Sequence, residues 1–178
     1  IEFVKADAPD AKAATSEAER LITVEKVKII TGSYSSSIAY ASTPVAEKYK
    51  VIYFEQGGIA DNITERGFQY LFRNNPLASD FGIRAIELTE NTICPKIGLK
   101  AADTRVAVIY EDTLYGTTVG TSAVKHGKER KFKIVADEPD NAKAVDRSSL
   151  VMKLKSAQPH VLIATSYLND AILFWRQA

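Results

Sequence analysis

Gly32-Ser33-Tyr34-Ser35-Ser36-Ser37 puts a glycine and five consecutive hydroxyl side chains between an apolar run, Val27-Lys28-Ile29-Ile30-Thr31, and a helical pattern that begins near Ile38. A strand, a glycine turn and hydroxyls at a helix start make a place to hold an oxygen-rich group. The first N–H groups of a helix have no partner inside it, and the aligned peptide dipoles add partial positive charge there. The chemistry that fits is binding of a carboxylate, a phosphate or another oxygen-rich group. Serine is also a common N-cap, so this stretch by itself leaves capping and binding both open.

Three further loops follow apolar runs in the same way, at residues 56–60, 111–116 and 165–169. They carry Gly57-Gly58, Glu111-Asp112 and the aromatics Tyr115 and Tyr167. Adjacent glycines let a ligand approach backbone amides closely. Tyrosine offers an apolar face with one polar handle. Ligands of open parallel sheets bind beyond the carboxyl ends of the strands, which is where these four loops fall.

Covalent chemistry finds no support. Tyr34 stands where a nucleophile elbow needs Ser. His126 and His160 lie in separate segments, and neither the phosphate-loop nor the dinucleotide glycine pattern is present. Glu111-Asp112 reads as a solvated pair, and Asp7, Asp10, Asp137, Glu138 and Asp140 as surface turns. A single cysteine, Cys94, excludes an intrachain disulfide and a cysteine-cluster metal site, and no cofactor is expected. The 23 basic and 22 acidic residues nearly cancel and are interspersed, so nucleic acid and anionic membrane have no electrostatic case.

The elements that must position these loops alternate. Residues 1–6, 27–31, 51–54 and 68–72 read as strands, with 27–31 continuous enough to be buried on both faces. Ala11, Ala14, Ala18, Leu21 and Ile22 form one helical stripe. Ile38, Ala41, Val45 and Tyr49 form another, with Pro44 a kink. Residues 73–76 break the pattern. A helix then runs from Ser79 to Leu99, interrupted at Pro95 and ended by Gly98. Strands at 106–110, 132–136 and 161–164 alternate with helices at 117–129, 148–157 and from 169 onward. This predicts an α/β protein with parallel sheets in two βαβ layers. The start at Ile1 without Met and the helical pattern running into Ala178 predict an internal piece of a longer protein.

The order of these motifs resembles a known family. It runs Val27-Lys28-Ile29-Ile30-Thr31-Gly32 with Ser35-Ser36-Ser37, then Asp61-Asn62-Ile63-Thr64-Glu65-Arg66-Gly67, Tyr70-Leu71-Phe72-Arg73, Arg105 through Asp112, and Tyr115-Gly116. The chain resembles the type I periplasmic solute-binding proteins of the leucine/isoleucine/valine-binding branch, which serve ABC importers of the branched-chain amino acid class. The resemblance implies two Rossmann-like lobes, a ligand between them and Venus-flytrap closure, with the fold incomplete in this chain. Residues 1–75 would belong to a first lobe lacking its first strand and helix, and 76–178 to a second.

It also implies that Ser35 and Ser36 hold the ligand's acid or amide group, that Gly57, Gly58 and Ile59 offer backbone amides, and that Tyr115 and Tyr167 close over the ligand. Gly57-Gly58-Ile59 departs from the small hydroxyl or alanine residues common in amino-acid binders, so an amino acid, an amide or an organic acid all remain open. The implied role is non-enzymatic capture of a small solute outside the cytoplasm, in the periplasm or anchored extracellularly, for permease subunits in the membrane. A ligand-sensing domain of a regulator or receptor is the alternative carried by the same fold.

Overall fold

A computed structural model describes residues 2–178. The chain forms two compact units, residues 1–77 and 78–178.

In the first unit, helix α1 (Ala11–Thr23) starts at Asp10, whose carboxylate accepts from the Ala13 amide at 2.8 Å. Asp10→Ala removes this cap and is expected to cost about 1 kcal/mol, read as a lower melting temperature with unchanged far-ultraviolet circular dichroism at 20 °C. Strand β1 (Ile29–Thr31), helix α2 (Ser36–Tyr49), strand β2 (Ile52–Glu55) and strand β3 (Leu71–Arg73) follow. The three strands pair in parallel in the order β1-β2-β3. Ala18, Leu21 and Ile22 of α1 and Val45 and Ala46 of α2 pack with Ile30 and Tyr53 of the sheet.

Both helices therefore cover the same face. Residues 27–31 are expected to be buried on both sides; within these 178 residues only one face is covered, and the apolar Ile29 (58 % exposed) and Phe72 (51 % exposed) line the other. Residues 2–6 form no strand and are exposed; Ile1 lies outside the described residues. β3 is also shorter than expected. The Gln69 and Tyr70 amides donate to the Glu47 carboxylate of α2, so pairing with β2 begins at the Tyr70 carbonyl, which accepts from the Tyr53 amide at 2.7 Å.

The second unit opens with helix α3 (Ala78–Leu88), a π-helical turn (Thr89–Ile93) and helix α4 (Cys94–Ile97), closed by Gly98 at φ +70°. Pro95 does not interrupt this run. The wider π turn, with the Cys94 amide bonded to the Thr89 carbonyl, leaves room for the proline ring.

Strand β4 (Arg105–Glu111), helix α5 (Leu114–Glu129), strand β5 (Lys133–Asp140), helix α6 (Ser148–Ala157), strand β6 (Val161–Thr165) and helix α7 (Leu168–Gln177) complete it. The parallel order is β5-β4-β6. Central β4 alternates between two cores. Val106, Val108 and Tyr110 pack with Ile86, Ala123 and Val124, while Ala107 and Ile109 pack with Leu150, Leu154 and Phe174. Its unbroken apolar run is what burial on both faces requires. β5 extends to Asp140 through Pro139 because it lies at an edge of this sheet, where a missing amide donor is tolerated.

Candidate functional site

In the first unit, β1 and β2 release their chains side by side at their carboxyl ends. Ser35 is the N-cap of α2 in extended conformation, and its backbone carbonyl accepts from the Ala39 amide at 3.0 Å. Its hydroxyl makes no capping bond, so helix capping does not account for this side chain. Ser36, one residue on, is 1 % exposed, and its Oγ accepts from the Ala60 amide at 3.1 Å. That bond ties the serine loop to the loop after β2 and leaves the Ser36 hydroxyl proton to donate elsewhere. Tyr34 is exposed at the tip.

The glycines of the second loop are there because the chain is crowded. A Cβ on Gly57 would meet the Ser33 carbonyl at 2.5 Å, and one on Gly58 would meet the Ala39 Cβ at 2.7 Å. Their amides have an internal acceptor that the sequence did not reveal. Glu55, the last residue of β2, is 0 % exposed. Its Oε1 accepts from Ser33 at 2.9 Å, Gly57 at 2.8 Å and Gly58 at 2.6 Å. The expectation that Gly57 and Gly58 present open amides is corrected: a carboxylate of the chain itself already fills that cradle. Burial pushes the Glu55 carboxyl above its ordinary range, and the amides of Gly57, Gly58 and Ser33 pull it back. Ile59 is half-buried beside them.

Arg73 braces this loop and Arg66 ties the turn that follows it to α2, roles that the sequence did not mark. Arg73 donates to the carbonyls of Gly58 at 3.3 Å and Ala60 at 2.9 Å, and to the Thr64 hydroxyl at 2.8 Å. Arg66 donates to the carbonyls of Tyr40 and Ile63 and lies between two rings, 4.2 Å from the centre of Tyr40 and 4.5 Å from Phe68. Arg73 and the Ile63 amide, which donates to the Ala60 carbonyl at 3.2 Å, thus hold the loop in place.

The second unit repeats the device. Glu111 ends central strand β4 as Glu55 ends central β2. It is 1 % exposed and accepts from Thr113 at 2.6 Å and Gly116 at 2.5 Å. It is therefore not half of a solvated pair. Its charge satisfies the amides at the start of α5, which is why that helix begins at Leu114 rather than Thr117. Asp112 is exposed and accepts from the Ala142 amide at 3.1 Å.

Tyr115 in the first turn of α5 and Tyr167 at the N-cap of α7 bring their rings to 5.5 Å, tilted by 50°. The Tyr167 amide donates to Asp170 at 3.3 Å. Behind Asp170 lies Arg147, buried, with Nη2 3.7 Å from Asp170 and Nε 2.5 Å from Asp140. Asp140 is thus an ion-pair partner rather than a surface turn. Among the described residues no three His, Cys, Asp or Glu side chains gather as a metal site, and no helix is long and apolar enough to cross a membrane.

The first unit thus gathers hydroxyl groups, and the second an aromatic pair, at the carboxyl ends of parallel strands. The model of the periplasmic binding protein family matches residues 1–178. The chain belongs to the periplasmic binding protein family. A Leu/Ile/Val-binding protein homolog from Brucella abortus is 44 % identical over 178 residues, covering 100 % of this chain and 45 % of that relative. The chain therefore spans less than half the length of the curated relatives it matches.

A solute-binding protein of an ABC transporter from Rhodopseudomonas palustris, solved with p-hydroxybenzoic acid, superposes with a TM-score of 0.86 at 21 % identity, over 99 % of this chain and 46 % of that one. A leucine-binding protein from Thermotoga maritima gives 0.83 at 21 % identity, over 96 % and 46 %. These likenesses establish the fold: parallel α/β units of the periplasmic binding protein type.

Proposed function

We propose that this chain is part of the solute-binding component of an ABC importer, working in the periplasm or anchored outside the cell, and that it captures a small solute without chemical change. The two units would be parts of the family's two lobes, which close on the solute by a hinge motion. Permease subunits in the membrane would be the partners.

The observation that carries this reading is the Ser36–Ala60 bond, which locks two strand-end loops together at the position where open parallel sheets receive ligands. In the first unit, Ser35 and Ser36 supply hydroxyl donors and Gly57, Gly58 and Ile59 form the surface beside them. In the second, Tyr115 and Tyr167 pack on the apolar part of the solute. Relatives named for leucine binding and for p-hydroxybenzoic acid support small amino acids, amides and organic acids as the solute class.

The test is a thermal-shift screen of the full-length protein against amino acids, their amides, ureas and aromatic acids. A true solute at about 100 times its Kd stabilises by about 2.7 kcal/mol, a clear rise in melting temperature. Native mass spectrometry of the protein as purified provides the complementary reading. A protein that holds no co-purified small molecule and responds to no compound in the screen contradicts solute capture.

A further inference from the structure

The Gly57-Gly58 amides form the kind of concave N–H cluster that takes up anions. Here the cluster is already full. Glu55 Oε1 receives three of its N–H groups, and Oε2 lies 3.1 Å from the Ser33 amide as well. Among the described residues no cation lies within ion-pair distance of Glu55. Arg73, the nearby guanidinium, spends its bonds on the Gly58 and Ala60 carbonyls and the Thr64 hydroxyl. The groups in direct contact with this carboxylate are therefore amide N–H groups, with the Arg73 charge acting from beyond ion-pair distance.

Two consequences follow for anything seated against the loop. A ligand carboxylate finds the glycine amides taken, and it meets a like charge in a poorly solvated place, where such repulsion is strong. A neutral amide, or a cationic amidine or amine, meets no such repulsion, and its positive edge is attracted. The hydroxyls of Ser35 and Ser36 can serve either kind of group.

We propose that Glu55 is a specificity-determining residue: it stands in for a ligand acid on the Gly57-Gly58 amides, so the ligand group received by the first unit is neutral or cationic rather than a carboxylate. This rests on the solute-binding reading above. It narrows that reading, because an amino acid would then direct its ammonium end toward this loop and an organic acid would direct its carboxylate elsewhere.

A shape-matched series separates the possibilities: benzoate, benzamide and benzamidinium differ in charge and hardly in size. Isothermal titration of the full-length protein with each is compared between wild type and Glu55→Gln, with a thermal melt to confirm that the variant is folded. The expected wild-type order places benzoate weakest, by about tenfold against benzamide, the scale of one lost charge-assisted hydrogen bond. In Glu55→Gln the benzoate deficit shrinks and benzamidinium loses its advantage. If the variant does not fold, the wild-type order decides alone.

Benzoate binding tightest in wild type overturns the proposal. So does an order unchanged in a folded Glu55→Gln, or the absence of binding by all three compounds, since Glu55 would then discriminate nothing. A protein that answers the broad solute screen yet favours benzoate loses only the Glu55 assignment. One that answers neither loses the solute-binding reading too.

Discussion

Arg147→Ala is expected to lower the unfolding free energy of the second unit by about 3–5 kcal/mol, because it strips the partner from two carboxylates held away from water. Arg147 is 2 % exposed, and each nitrogen of its guanidinium has a partner. Nε meets Asp140 at 2.5 Å, Nη1 donates to the Ala144 carbonyl at 3.0 Å, and Nη2 donates to the Asn141 carbonyl at 3.1 Å with Asp170 at 3.7 Å. Asp170 in turn accepts from the Tyr167 amide, so the loss reaches the aromatic pair.

Urea denaturation followed by the fluorescence of Trp175, the single tryptophan, reads this unit directly. A lower midpoint at unchanged slope is the expected result. Arg147→Lys keeps the charge but not the planar fork and should recover only a minor part. A midpoint unmoved in Arg147→Ala would show that the network is not what holds residues 140–170 together.

Ser36→Ala is expected to act twice. It removes the hydroxyl proposed to donate to the solute, raising Kd by the equivalent of about 1–3 kcal/mol, and it leaves the Ala60 amide without its acceptor in a buried place, at a similar cost to stability. Calorimetry with the solute identified by screening measures the first effect, and a melt of the unliganded protein measures the second. Ser35→Ala is the control for capping: its hydroxyl makes no cap bond, so any effect on affinity belongs to the solute. Undiminished affinity in a folded Ser36→Ala would remove Ser36 from the proposed contacts.

Much of the architecture could be read from the residues because it depends on near neighbours in the chain. The β4 run from Val106 to Tyr110 reads as a strand from its own residues, and its continuous apolar character suits burial between two helical layers. The α1 stripe of Ala14, Ala18, Leu21 and Ile22 gave its buried face through helical spacing alone. The same local logic placed the serines at a helix start and the glycines at a strand end. The order of such motifs along the chain was enough to indicate the family.

What the residues could not reveal were the partners brought in by folding. Glu55 looked like one more polar residue at a strand end. Its role depends on Ser33, 22 positions earlier, arriving within 2.9 Å. Glu111 looked solvated because adjacent acids at a strand end usually are, yet it is the last residue of β4 and its carboxylate turns under the start of α5, while Asp112 lies beyond the strand and is exposed. Asp140 looked like a turn until Arg147 closed on it.

Helices α1 and α2 pack on the same side of the first sheet, a choice that the apolar pattern of 27–31 does not encode. Sequence by itself determined the periodic elements, the four strand-end loops and the family, all set by short-range spacing. Tertiary structure alone decided which buried carboxylates those loops enclose. A charge can leave water only where several donors converge on it, and that convergence exists only once distant segments meet.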